Sequence, residues 1–310
     1  MYGFDSLKSL PSVVRGKVLF GEPMADHTSF KLGGPADALL YPVDADDVAQ
    51  TMMFARANTI PLIVIGSGTN LLVGDLGIRG IVLCVDGCFA WSEQEDDTIK
   101  CGSGFLLNDA VNISIQMSHS GLEFLTKIPG TVGGAVAMNT GTHNSYISQS
   151  VFEVGCVMAD GKRQTLNHEQ MRFDYRTSIV LQTGAMIEWV RFKLVKADKT
   201  WLEDRVDLLS RYRTSSQPYN LPNAGCAFKN PPAGYAGRLI EDAVLKGVAV
   251  GGVEVSKLHA NFLVNTGTSD SKEALKLMML VTNTIYEKFN VRLKPEIRIA
   301  GSWSIDIPNW

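Results

Sequence analysis

The chain has 310 residues, 45% hydrophobic and 20% charged, with a net charge of −3. That length supports two or three domains with cores of their own, and the charge balance excludes a generally basic nucleic-acid binder. No apolar run approaches the ~20 residues that cross a bilayer, and the opening residues lack the pattern of a secretory signal. The five cysteines, at 84, 88, 101, 156 and 226, are odd in number and irregularly spaced. They suggest neither a disulfide framework nor a metal site, so a reduced, cytoplasmic protein without bound metal is expected.

In chain order, Asp46 to Asn58 has an acidic first turn and aligns Val48, Met52 and Ala55, which predicts a helix. Leu62 to Ile65 reads as a strand running into Gly66-Ser67-Gly68-Thr69-Asn70, and residues 81–85 as a second strand. A helix is expected over Leu106 to Ser118, stopping at Gly121. Val151 to Ala159 and Lys162 to Leu166 flank Asp160-Gly161, a hairpin signal, and Met186 to Val195 is a further strand. Beyond Ala197 the texture changes to amphipathic helices at Trp201 to Arg213 and Gly237 to Lys246. A third runs from the Asp270/Glu273 capping pair to Lys288, with Leu277, Leu280, Val281 and Ile285 on one face. Strands are expected at 261–265 and 297–300. A boundary falls near residue 200, giving lobes at 1–85 and 86–200 and a domain at 201–310.

Five segments have the makings of chemistry. In Gly66-Ser67-Gly68-Thr69-Asn70 the glycines let N–H groups converge on an anion and the hydroxyls add donors. It lacks the third glycine of a dinucleotide fingerprint and the Lys of a Walker loop, and taken by itself it reads better as an ordinary β-turn. The run from Ile128 to Gly141 is so dense in glycine and alanine that it would fill a core badly, which suits backbone lying against a flat ligand. Pro129 and the glycines argue against a regular helix there. Tyr175-Arg176 offers a bidentate clamp for a carboxylate beside an aromatic hydroxyl. Asn223 to Pro231 sets Cys226 in an irregular loop with Lys229 and Asn230 close by, either as an acid in an active site or as a buried thiol. Pro295-Glu296 adds a carboxyl group, which alone reads as a solvated edge charge.

Thr28 to Ala36, Ile65 to Asn70, Ile128 to Asn139, Tyr175-Arg176-Thr177-Ser178, Asn223 to Pro231 and Pro295-Glu296-Ile297-Arg298 together resemble, in order and over nearly the whole chain, the bacterial UDP-N-acetylenolpyruvoylglucosamine reductase family. With no long insertion between Pro231 and Leu245, the chain is similar to the shorter of that family's two types. The resemblance implies an α+β fold, with a two-lobed FAD-binding module of the p-cresol-methylhydroxylase type followed by an α+β substrate-binding domain. It implies noncovalent FAD, NADPH as co-substrate and a UDP-N-acetylglucosamine enolpyruvate substrate; separately, a monomer that binds neither nucleic acid nor membrane is expected.

By motif position, Gly66, Ser67, Gly68, Thr69 and Asn70 would take the FAD pyrophosphate. Pro129, Gly130, Thr131, Gly133, Gly134, Ala137 and Asn139 would lie along the flavin. Arg176, Cys226 and Glu296 match the catalytic positions, while Tyr175, Arg213, Lys229, Asn230 and His259 fall where substrate contacts are expected. The family residue at 226 is usually Ser. A thiol, with an unperturbed pKa of about 8.5, is a better acid than an alcohol, and so suits a proton donor that quenches a carbanion. Two other readings stay open: a flavin oxidase of the same fold acting on another substrate, and a flavin or UDP-sugar binder without activity.

Overall fold

The computed structural model describes residues 4–142, 145–232, 234–267 and 269–310. The chain divides into two units: Met1–Phe20 with Ala38–Ser67 and Gly80–Tyr212, and Gly21–Asp37 with Gly68–Arg79 and Arg213–Trp310.

In the first unit the helix Ala45–Ala57 starts at Asp44, whose carboxylate accepts from the Asp47 N–H at 3.0 Å. That bond satisfies one of the donors a helix start leaves open. Its Val48, Met52 and Ala55 share a core with Ile81 and Leu83. Leu62–Ile65 runs parallel to Ile78–Cys84, at the end of a sheet ordered Lys17–Pro23, Pro35–Tyr41, Ile78–Cys84, Leu62–Ile65.

A second core builds on an antiparallel sheet ordered Arg163–Asn167, Val151–Val157, Met186–Lys193, Thr98–Gly102, Ser92–Glu95. The expected hairpin is present, its turn closed by Gly161 at φ +81°. Ile99, Val154, Val190 and Phe192 pack with Leu107 and Val111 of the helix Leu107–Gln116. That helix ends at Met117, and Ser118 takes the left-handed turn at φ +58°, so Gly121 is not its cap. A six-residue helix, Val132–Ala137, forms where Pro129 and the glycines argue against one. Its N-cap Thr131 accepts from the Gly134 N–H at 3.3 Å, a local bond that offsets part of the glycine cost.

The second unit carries an antiparallel sheet ordered Asn223–Cys226, Phe262–Asn265, Val253–Val255, Ala249–Val250. Against it lies the helix Ser271–Phe289, which buries Leu277, Met278, Val281 and Ile285 completely. Leu280, expected on that face, is instead exposed. Met278, on the other side of the Leu277/Val281 stripe, is buried in its stead. Phe30, Leu32 and Leu72 join the same core, and Leu71–Val73 pairs in parallel with Arg298–Ala300. The helix expected over 237–246 is Ala236–Asp242, cut short where Val244 turns left-handed at φ +61°. Among the described residues, no helix is long and apolar enough to cross a membrane.

Candidate active site

In the first unit Gly66 and Gly133 pack tightly against Thr131 and Ser103. An added Cβ on Gly66 would sit 2.4 Å from the Thr131 hydroxyl, and one on Gly133 would sit 2.6 Å from Ser103 Cβ. Only glycine allows that approach. The segments are pinned there by Gly133 N–H to Ser103 O at 2.9 Å, Val132 N–H to Phe105 O at 2.9 Å and Leu107 N–H to Gly130 O at 3.0 Å. Into this corner come two buried hydroxyls, Ser67 Oγ and Ser103 Oγ, with no hydrogen-bond partner among the described residues. Burying a hydroxyl without a partner costs free energy, and a polar ligand could offset that cost. Ser103 is absent from the sequence reading, although Gly102-Ser103-Gly104 repeats the Gly-Ser-Gly of residues 66–68.

Arg176 stands at the tip of a tight hairpin in the same unit. Asp174 and Thr177 exchange both backbone hydrogen bonds at 3.2 Å, and the Asp174 carboxylate accepts from the Tyr175 N–H at 2.7 Å. Arg176 itself is left-handed at φ +57°, an unfavourable conformation for a long side chain. Its Nη2 donates to Gly141 O at 3.1 Å, and its guanidinium lies 5.3 Å from the Tyr175 ring centroid. Ser178 Oγ donates to Ala137 O at 2.7 Å, and Asn139 Nδ2 donates to Asp174 O at 3.1 Å. The small-residue run and the Tyr175-Arg176 turn are therefore one assembly.

In the second unit the strand that ends at Cys226 is bulged. Its register with Phe262–Asn265 shifts between Asn223 and Cys226, and Gly225 at φ +76° supplies the kink. Asn223 Oδ1 accepts from the Gly225 N–H at 3.0 Å. Just beyond, Asn261 clamps Phe228 from both sides, its Oδ1 accepting from the Phe228 N–H at 3.0 Å and its Nδ2 donating to Phe228 O at 2.8 Å. The Glu296 segment lies alongside, with Glu296 N–H to Ala227 O and Lys229 N–H to Lys294 O, both at 2.9 Å. The backbones that carry Cys226, Lys229 and Glu296 are thus neighbours. Gly68-Thr69-Asn70 also belongs to this unit. Asn70 Nδ2 donates to Glu296 O at 3.2 Å, and Asn70 O accepts from the Arg298 N–H at 3.0 Å.

The remaining predicted residues differ in setting. Arg213 is buried and electrostatically coupled to Tyr219, whose phenol burial pushes upward. Asn230 Oδ1 accepts from the Ala236 N–H at 3.0 Å, at the start of the helix Ala236–Asp242. His259 packs edge-on against Phe262, its Nδ1 accepts from the Asn261 N–H at 3.2 Å, and burial holds its pKa below the usual range. Burial also pushes the thiols of Cys84 and Cys88 up to about 11 and those of Cys101 and Cys156 up to about 12, which leaves them poor nucleophiles and poor acids at neutral pH. No disulfide joins any of the five cysteines. Among the described residues, no group of three or more His, Cys, Asp or Glu side chains is placed to hold a metal ion.

These features define an FAD-binding protein, since residues 36–167 match the family described as FAD binding domain. Residues 217–300 match the family described as UDP-N-acetylenolpyruvoylglucosamine reductase, C-terminal domain. The chain is 39% identical over 294 residues to UDP-N-acetylenolpyruvoylglucosamine reductase 2 of Symbiobacterium thermophilum, covering 94% of this chain and 96% of the relative. It is 40% identical over 288 residues to the reductase of that name from Bacillus pumilus, covering 92% and 95%. The crystal structure of UDP-N-acetylenolpyruvylglucosamine reductase from Thermus caldophilus superimposes with a TM-score of 0.78 at 34% identity, covering 92% of this chain and 99% of that one. The chain belongs to the UDP-N-acetylenolpyruvoylglucosamine reductase family, and its α+β architecture is the one the motifs imply.

Proposed function

We propose that this protein reduces the enolpyruvyl group of UDP-N-acetylglucosamine enolpyruvate to give UDP-N-acetylmuramate, with NADPH as reductant, in the bacterial cytoplasm and as a monomer. The observation that carries this reading is the near-complete mutual coverage with relatives named for that reaction. The residues fit FAD: the partnerless Ser67 and Ser103 hydroxyls would supply donors, beside the tight packing of Gly66 on Thr131 and Gly133 on Ser103. Thr131, Gly134, Ala137, Pro129 and Gly130 complete the surface on which the cofactor would rest. Held there, FAD would supply the hydride chemistry of the reduction, with NADPH as its reductant. Most of the FAD-binding lobes at 1–85 and 86–200 falls in the first unit, while residues 21–37 and 68–79 fall in the second with the substrate domain.

The protein's own groups handle charge and the proton. As hydride arrives at the terminal vinyl carbon, negative charge spreads from the adjacent carbon into the substrate carboxylate. Arg176 pairs with that carboxylate through two parallel hydrogen bonds, and Glu296, in its protonated form, donates to the same group. Preorganised donors of this kind are each worth about 10²–10³ in rate where they have been removed from other enzymes. Cys226 delivers the proton to the carbon and sets its configuration. Lys229, Arg213, Tyr175, Asn230 and His259 bind the nucleotide sugar.

The test is anaerobic. The purified protein should show flavin absorbance, lose its oxidised band on adding NADPH and regain it on adding the enolpyruvyl substrate. A protein without flavin, or one whose reduced flavin is reoxidised by oxygen but not by that substrate, would overturn the reading.

A further inference from the structure

Asn139 sits one residue past the helix Val132–Ala137 and its C-cap Met138, 5% exposed and left-handed at φ +43°. Asn is among the few residues that adopt this conformation at modest cost. Both ends of its amide are committed to protein. Nδ2 donates to Asp174 O at 3.1 Å, and Oδ1 accepts from the Ser148 N–H at 3.3 Å. Asp174 O is also the acceptor for Thr177 N–H, the bond that closes the hairpin carrying Arg176.

Two more bonds fasten the same hairpin to the same run: Ser178 Oγ to Ala137 O at 2.7 Å, from a fully buried serine, and Arg176 Nη2 to Gly141 O at 3.1 Å. The base of the hairpin, its tip and the residue after it are thus each tied to residues 137–141. A long side chain at φ +57° would relax if those ties were cut.

The geometry points to Asn139 as a positioning residue for Arg176: it fixes the hairpin so that the guanidinium is held ready for a carboxylate. The surface that lies along the flavin and the group that reads the substrate acid are then one mechanical piece. This inference rests on Arg176 being the carboxylate clamp.

The experiment compares holoenzymes carrying Asn139→Gly, Asn139→Asp, Arg176→Gln and Asn139→Gly with Arg176→Gln. Glycine keeps the left-handed backbone and drops both side-chain bonds. Aspartate keeps the acceptor for Ser148 N–H and loses the donor to Asp174 O, so it reads the tie even if the glycine variant fails to fold. Three quantities are measured: the Kd for UDP-N-acetylglucosamine enolpyruvate by calorimetry on the oxidised protein, the rate of flavin reoxidation by that substrate, and the Kd for FAD.

Asn139→Gly and Asn139→Asp should weaken substrate binding and slow reoxidation by about 10- to 100-fold, the range expected for a misplaced catalytic group. FAD affinity and reduction by NADPH should not change. In the Arg176→Gln background the Asn139 change should add nothing, the non-additivity expected when one residue acts only through another. A merely structural asparagine would lower stability yet keep its full kinetic factor in that background. Loss of FAD affinity in the Asn139 variants would overturn the inference and make Asn139 a cofactor contact. Wild-type behaviour of both Asn139 variants beside a crippled Arg176→Gln would overturn it while leaving the clamp intact. An Arg176→Gln enzyme with unchanged substrate Kd and reoxidation would remove the clamp, and this inference with it.

Discussion

The Ser67/Ser103 corner of the first unit and the Cys226 strand of the second treat their polar groups in opposite ways. Around Ser67 and Ser103 two hydroxyls are buried without partners, and glycines bring backbone closer than any side chain permits. Around Cys226 the structural asparagines are spent on the chain itself: Asn223 on Gly225, Asn261 on Phe228, Asn70 on Glu296 and Arg298. The first arrangement costs stability until a ligand arrives. The second gains stability at once and fixes the backbone beneath an acid and a carboxyl. Two hydroxyls are left unspent in the Ser67/Ser103 corner, whereas the asparagines beside Cys226 are spent on the chain.

Substitutions sharpen that contrast in order of size. Gly133→Ala would force a methyl to 2.6 Å from Ser103 Cβ and 3.0 Å from Ser103 O. Overpacking of this kind costs about 1–3 kcal/mol, and here it should appear mainly as purification without flavin, read from the absorbance ratio of the pure protein. Asn261→Ala removes both bonds to Phe228. It should lower unfolding free energy by about 2–3 kcal/mol, two buried hydrogen bonds' worth, with flavin retained; an equal loss of flavin would blur the distinction between the regions. Ser103→Ala removes an unpartnered hydroxyl. FAD affinity should fall by roughly 3- to 10-fold, the worth of one hydrogen bond, while the flavin-free protein keeps or gains stability. A less stable flavin-free variant would show that Ser103 serves the fold instead.

The smallest effect belongs to His259. Burial lowers its pKa, and its Nδ1 accepts a hydrogen bond that only the neutral ring can take. As pH falls below about 6.5, the unfolded chain therefore binds the proton before the folded one does. Stability should be full above that pH and decline below it, levelling off once the folded-state pKa has been passed. Replacing His259 by Gln should flatten that limb of a denaturation series, and an unchanged slope would assign it to other groups.

Much of the fold was legible because its signals are local. The capping pair Asp270 and Glu273 marks the start of the long helix, Asp160-Gly161 marks the hairpin, and Leu62 to Ile65 is too short and apolar to be much else. What the sequence hid is non-local. Nothing in residues 21–37 or 68–79 announces that they join the second unit, because the pairing of Leu71–Val73 with Arg298–Ala300 spans most of the chain. The short helix at Val132–Ala137 was obscured by its glycines, since a single threonine cap and tertiary packing outweigh their propensity. At the candidate site, the motifs singled out Arg176, Cys226 and Glu296 but not the residues that hold their backbones. Asn261 carries no chemistry of its own, and only coordinates reveal that it clamps Phe228, just as only they reveal that the Ser103 hydroxyl is buried without a partner.

The division of labour is tested most directly by a single-turnover comparison of wild type with Cys226→Ala, following flavin absorbance anaerobically. Reduction by NADPH should proceed at the wild-type rate, because the Ser67/Ser103 corner is untouched. Reoxidation by UDP-N-acetylglucosamine enolpyruvate should slow by about 10²–10⁴-fold, the contribution typical of a positioned acid, and Cys226→Ser should restore much of it. Two fast phases in the alanine variant would contradict the account and remove Cys226 as the proton's source.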